Sequence, residues 1–267
     1  MTILVSAVVA TAAALTSCSG QQTPPAAGNP SSSSTLPVVA DPAAAKGFMA
    51  MTLATGQIPS LPAGPLYVDI EHVPSGPVPS TPLTRDCMVY TLSGSQAVVD
   101  ASSATSSATA VFMGPHGASY PKTGNAVVAD ALCLRPSSDH GHGPAMPGGT
   151  SIFASGDFAY LTAPGPYRAQ LALVTIQPGG RGAAHVHSGP ETLLATGGTT
   201  TYHLGGPTPV DLNGAPSPVT RTVGQAMTHQ PNQPIQDFNT GDGVATALNF
   251  IVWPAGQSVR TDIHTAP

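Results

Sequence analysis

Charge is scarce in this chain. Asp, Glu, Lys and Arg make up 8% of its 267 residues, with 8 basic against 13 acidic side chains and a net charge of −5. So few cations leave no basic patch for a phosphate backbone, which excludes nucleic acid as a partner class. Cysteine is rarer still, and none of the 3 stands at a catalytic spacing from a histidine, so a thiol nucleophile is excluded as well. Helix-favouring runs at a 3.6-residue period are missing beyond the first fifty positions. What abounds is punctuation, with 29 Gly and 29 Pro, and an all-β fold follows. The length suits one large domain or two small ones.

The N-terminus speaks to location. Residues 3–15, ILVSAVVATAAAL, form an apolar run too short for a confident membrane span, preceded by no Lys or Arg and followed by Thr16-Ser17-Cys18. The sequence LTSC resembles the lipobox of a bacterial lipoprotein signal peptide. That resemblance implies cleavage after residue 17, a lipid on Cys18, and export to the extracytoplasmic face of the cell membrane. Residues 19–40 are rich in Gly, Pro, Ser and Thr without periodicity, the composition of a tether, so the folded part is expected from about residue 45. With Cys18 lipidated in an oxidising compartment, Cys87 and Cys133 are expected to form a disulfide.

The remainder reads as strands. Residues 66–73, 87–93, 126–135, 170–177, 192–195 and 244–253 are apolar or alternating runs of strand length, mostly closed by Gly, Pro, Asn or Asp. An internal repeat organises them. The segment from Pro74 to Gly94 lies on that from Pro178 to Gly198 without a gap, and each follows a strand-like run. Two tandem β domains are therefore expected, joined through the His/Gly/Pro-rich residues 137–149. In that register His185, His187 and Glu191 fall on Thr81, Leu83 and Cys87, so only the second copy retains polar ligands.

The stretch GAAHVHSGPE holds those ligands. His185 and His187 are two apart, so an extended backbone projects both imidazoles from one face. Ser188-Gly189-Pro190 bends the chain, and Glu191 can return its carboxylate to the same point. Two neutral nitrogens and a carboxylate suit iron, manganese or zinc and leave coordination positions open. A fourth ligand is sought among His229, His203 and His264, of which His229 fits best by its place before the final strand. His140 and His142, near Asp139, are read as a flexible linker rather than a site.

These residues resemble the first motif of the cupin superfamily, G-x5-H-x-H-x3,4-E-x6-G, matched at Gly179, His185, His187, Glu191 and Gly198. The resemblance implies tandem cupin-like β-barrels of jelly-roll type. Residues 45–136 would form a first barrel without metal ligands, 137–158 a linker, and 159–267 a barrel with one divalent metal on His185, His187, Glu191 and His229. The family's second motif departs here: laid on His229, its other fixed positions fall on Pro218, Gly224, Ala226 and Gln233, and none matches. Cupins include dioxygenases, isomerases, decarboxylases, binding modules and regulators, so the fold alone decides little. The expectation is an exported metal-binding cupin that takes a small-molecule ligand. A dioxygenase-type oxidoreductase and a non-catalytic sensing lipoprotein are the alternatives. Tyr202 and His203 are candidates for the catalytic acid or base that an enzyme would need and Asn249 for a residue that orients the ligand, and cupins often dimerise, so the resemblance allows a homodimer.

Overall fold

Strands form where the sequence alternates or runs apolar between turn residues, and turns form at the Gly and Pro that separate them. The computed structural model describes residues 45–74, 83–93, 105–106, 109–117, 128–159, 161 and 165–263. The signal segment, Cys18, the tether and His264 lie outside them. The strands are β1 (Lys46–Ile58), β2 (Leu66–Val73), β3 (Asp86–Ser93), β4 (Thr105–Ser106), β5 (Ala110–Met113), β6 (Val128–Pro136), β7 (Thr150–Ala154) and β8 (Tyr167–Arg181). They continue as β9 (His185–His187), β10 (Glu191–Gly197), β11 (Thr199–Leu204), β12 (Val219–Thr222), β13 (Ala226–His229), β14 (Ile235–Asn239), β15 (Ala245–Pro254) and β16 (Arg260–Asp262). Apart from a single 3-10 turn at Ser137–Asp139, no helix occurs among the described residues. The fold is all-β, as expected.

Two antiparallel sheets result. One has the order β5-β3-β6-β2-β7; the other runs β12-β11-β14-β8-β15-β10-β13, with β1 added beside β8, β4 beside β1, β9 beside β14 and β16 beside β9, closing toward a barrel. Their centres match: β5-β3-β6-β2 in the first sheet has the connectivity of β13-β10-β15-β8 in the second. Cys87 lies opposite Cys133 and Met113, as Glu191 lies opposite Ile251 and His229. The repeat seen in the sequence is thus also a repeat of register.

Alternation along these strands sends two sets of side chains to two faces. Val68, Ile70, Met88 and Leu132 of the first sheet join Leu171, Leu194, Leu248 and Phe250 of the second in one buried apolar layer. The β1 residue Gly56 sits in this layer so close to Phe112 that a Cβ would fall 2.4 Å from its ring, so only glycine admits that contact. The other face of the first sheet is filled by a separate cluster that includes Leu83, Cys87, Met113, Cys133 and Met146. Cys87 and Cys133, with Cα atoms 4.0 Å apart, form the expected disulfide there.

The segment 137–158, expected as a linker, is bound to this first sheet. Glu71 accepts hydrogen bonds from the backbone N–H groups of Ala145 and Met146, Arg135 donates to the Gly143 carbonyl, and Met146 is fully buried. Arg135 also donates to Asp69, so the buried acids of β2 are compensated by one cation and two amides. The segment then enters β7, which pairs with β2. The chain also crosses over at its start: β1 precedes the first sheet in sequence yet pairs with β8 in the second, from Lys46 opposite Arg181 to Ile58 opposite Tyr167. Polar, Gly- and Met-containing β1 carries little strand signal, which is why the sequence did not disclose this exchange.

Replacing both Cys87 and Cys133 by alanine should lower unfolding stability by about 2–4 kcal/mol. Because the pair lies in the other sheet from His185 and Glu191, metal content should not change. Urea unfolding and elemental analysis of the double variant check both, and a loss of metal would show that the two sheets are coupled.

Candidate metal centre

Local structure explains how the ligand cluster is assembled. In β9 His185 and His187 are both buried while Val186 between them is partly exposed, the period of an extended strand. The turn at Ser188-Gly189-Pro190 then lies flat on β15: a Cβ on Gly189 would fall 1.7 Å from the Val252 carbonyl oxygen, so any other residue would push the turn away. Glu191 consequently opens β10 on the same face as the histidines. The β10–β13 register sets His229 directly opposite Glu191.

The four side chains come together. Nε2 of His185 is 3.0 Å from Nε2 of His187, and Nε2 of His187 is 3.6 Å from Oε2 of Glu191. Nε2 of His229 lies 2.5 Å from the same Oε2, a charge-assisted hydrogen-bond distance. The ligand atoms of His185, His187 and Glu191 all fall within 4.8 Å of one another. The Nδ1 atoms decide the tautomers. Nδ1 of His185 donates to the Ala183 carbonyl at 2.8 Å and Nδ1 of His187 donates to the Val259 carbonyl at 2.7 Å. Carbonyls only accept, so in the neutral rings both Nε2 atoms carry lone pairs, and these point at one another. Two facing lone pairs beside a carboxylate repel unless a cation lies among them. Metal–nitrogen bonds of about 2.1 Å give ligand edges of about 3.0 Å at right angles and about 3.4 Å at tetrahedral angles. The His185–His187 and His187–Glu191 separations suit such a centre, and these three residues fit a divalent metal; His229 is at hydrogen-bond distance from Glu191.

Electrostatics keep the ligands in their binding forms. Burial pushes His185 down to about 4, assisted by neighbouring His187 and by Arg260, and burial also lowers His187. For Glu191 burial acts upward, but His187 and His229 outweigh it and hold the carboxyl at about 2. At neutral pH the cluster therefore offers unprotonated imidazoles and a carboxylate. Metal binding needs those forms.

The wall around the cluster sorts the remaining candidates. Asn249 on β15 donates from Nδ2 to Glu191 Oε1 at 2.7 Å, fixing the carboxylate, while its buried Oδ1 has no hydrogen-bond partner among the described residues. Tyr202 is buried and lines the interior with Asn249, Leu193 and Asp237, where the gap is too narrow for a water molecule. His203 alternates to the other face of β11 and packs edge-on against Phe238, with ring centroids 4.8 Å apart, so it is not brought to the cluster. His140 stacks on Tyr67 and bonds to Asp157, and Asp139 is held by Arg85, leaving no linker site. Two residues that the sequence reading passed over stand near the cluster. Asp237 on β14 is buried and raised to about 7, by burial first and by the Glu191 charge second. Arg260 on β16 lies opposite His187. Asp237 could have been found by alternation from buried Ile235; Arg260, in a short polar strand near the C-terminus, gave no signal.

Asp237 sets a pH dependence. Its folded value of about 7 exceeds the ordinary unfolded value of about 3.9. Between the two the folded chain holds a proton that the unfolded chain has released, so this group's contribution to stability falls as pH rises. In metal-free protein Asp237→Asn should accordingly stabilise more at pH 8 than at pH 5, read as the shift in thermal midpoint at each pH. Equal shifts at the two values would contradict the buried protonated carboxyl.

No family model and no curated protein matches this chain. Solved structures do resemble it. An oxalate oxidase is 17% identical over 33% of this chain and 46% of its own, with a TM-score of 0.27. The oxalate decarboxylase of Bacillus subtilis, described with Mn(II) centres, is 11% identical over 82% of this chain and 80% of its own, with a TM-score of 0.46. A cupin superfamily protein from Desulfitobacterium hafniense is 10% identical over 32% and 67%, with a TM-score of 0.26. The chain thus spans less than half the length of the oxalate oxidase it matches, and at these identities no activity passes from these proteins to it.

Proposed function

We propose that this chain is an exported cupin-type protein, anchored through a lipid on Cys18, that binds a small molecule at one divalent metal held by His185, His187, Glu191 and His229. One observation carries the reading: two buried imidazoles turn their lone pairs on each other beside a buried carboxylate, each tautomer fixed by a backbone carbonyl. Bound there, an iron, manganese or zinc ion supplies a Lewis-acid centre, and iron or manganese a redox centre as well.

This chain's own groups do the rest. Asn249 orients Glu191, and the apolar face of Leu193 and Ala247 excludes water on the inner side. Asp237 is an acid that can hold or release a proton near neutrality. In this reading the first sheet, whose equivalent positions hold Leu83, Cys87 and Met113, is a degenerate second barrel with a structural role. The LTSC segment and the Cys87–Cys133 disulfide support an oxidising, extracytoplasmic setting. A homodimer is compatible with the same reading.

Elemental analysis of the chain purified without a polyhistidine tag should find about one equivalent of a single metal, and the His185→Ala/His187→Ala variant should have lost it while staying folded. No bound metal after reconstitution with iron, manganese and zinc would sink the reading. For the anchor, Cys18→Ala should move the protein from the membrane fraction to the soluble exported fraction.

A further inference from the structure

The proposed metal centre has an unequal charge environment. A divalent ion with three neutral imidazoles and the single Glu191 carboxylate would keep one net positive charge. Beside it on β16 stands an ion pair, Arg260 opposite His187 and Asp262 opposite His185. Arg260 on β16 is the cross-strand neighbour of His187, so the two side chains share a face. Its charge is felt at His185, His187 and Asp237. The guanidinium carbon lies 6.0 Å from the ring centroid of Phe48, and the Phe48 ring and Oδ2 of Asp237 both stand about 3.1 Å from where a Cβ on Gly182 would be. Arg260, Phe48, Gly182 and Asp237 thus form one rim beside the buried histidines.

The arginine is held only lightly. Arg135 and Arg221 bind carboxylates that are 4% exposed or less, whereas Arg260 Nε donates at 2.7 Å to Asp262, whose side chain is 40% exposed. Exposed local pairs of that kind contribute little, so exchange of Asp262 for another carboxylate costs little. A planar guanidinium half-open to solvent, next to a centre with surplus positive charge, matches a planar anion.

We infer that Arg260 is the recognition residue for a small carboxylate ligand, which displaces Asp262 and places its anionic end between Arg260 and the metal held by His185, His187 and Glu191. This inference rests on the metal reading above, and its test separates the two.

Titration calorimetry with acetate and malonate, with acetamide as the neutral control, would be run on wild type, Arg260→Gln, Arg260→Lys and Asp262→Asn, each metal-loaded and metal-free. Metal content is assayed in the same samples. The carboxylates should bind and acetamide should not. Arg260→Gln should weaken acetate about tenfold or more with its metal retained, Arg260→Lys should restore part of the loss, and Asp262→Asn should tighten binding severalfold. Full metal content with carboxylate binding indifferent to Arg260, or no carboxylate binding at all, would overturn the clamp and leave the metal reading standing. Arg260-dependent binding in protein that takes up no metal would keep the clamp and sink the metal reading. Weakening by Asp262→Asn would show that Asp262 is part of the binding geometry, contrary to displacement.

Discussion

Everything in this molecule is arranged around the apolar layer between the two sheets. Because strands alternate, committing one face of β2, β3, β6, β8, β10 and β15 to that layer commits the other face to an interior that must be filled separately. The first sheet fills its interior with sulfur, hydrocarbon and one closed ionic cluster: Leu83, the Cys87–Cys133 disulfide, Met113 and Met146, with Asp69 and Glu71 paired to Arg135. The second holds His187, Glu191 and His229 where the first has Leu83, Cys87 and Met113. One backbone plan supports both, since the shared layer supplies cohesion and leaves the inner faces free to differ.

Both interiors bear the cost of buried carboxylates: Asp69 and Glu71 are answered by Arg135 and backbone amides in the first, and Glu191 needs its own partners in the second. Burying a carboxylate requires compensation, and Glu191 receives it from Asn249 and His229 on the strands either side of β10. Burying imidazoles requires fixed protons, which the carbonyls of Ala183 and Val259 supply. What remains uncompensated is the facing pair of lone pairs and the orphaned oxygen of Asn249. Thr91 Oγ1 and Arg135 Nε also lack hydrogen-bond partners, but only at the His185–Glu191 cluster does the orphaned atom stand beside ligand-type side chains.

Legibility in the sequence followed side-chain contrast. The six runs that read as strands are β2, β3, β6, β8, β10 and β15, the longer ones rich in Val, Ile, Leu and Ala; β5 and β13, buried throughout but four residues long, gave too short a pattern to read. Strands that were missed, such as β1, β7, β12 and β16, are edge or polar segments whose placement depends on partners far along the chain, which no local pattern records. The site was legible to the same degree: His185, His187 and Glu191 stand close in sequence at a spacing with its own geometric meaning. His229 was located by order along the chain and is placed by the β10–β13 register, whereas Asp237 and Arg260 acquire their surroundings only when β14 and β16 fold against β9. His203 shows the converse, a histidine near the motif that alternation turns away.

The exchange of β1 and β7 between the sheets bears on the order of folding. β1 is made first but finds its partner only when β8 exists, more than a hundred positions later, as the pairing of Ile58 with Tyr167 records. Until then the long edge that β1 offers to β8 is unpaired. Contacts at that separation close slowly. The first sheet can complete β5-β3-β6-β2 and receive β7 without waiting, so β1 would join as a clasp after the second sheet forms. A chain cut between residues 137 and 158 would therefore yield no independent halves: the second would lack the strand that covers β8, and the first would carry a 13-residue β1 paired only with the two residues of β4.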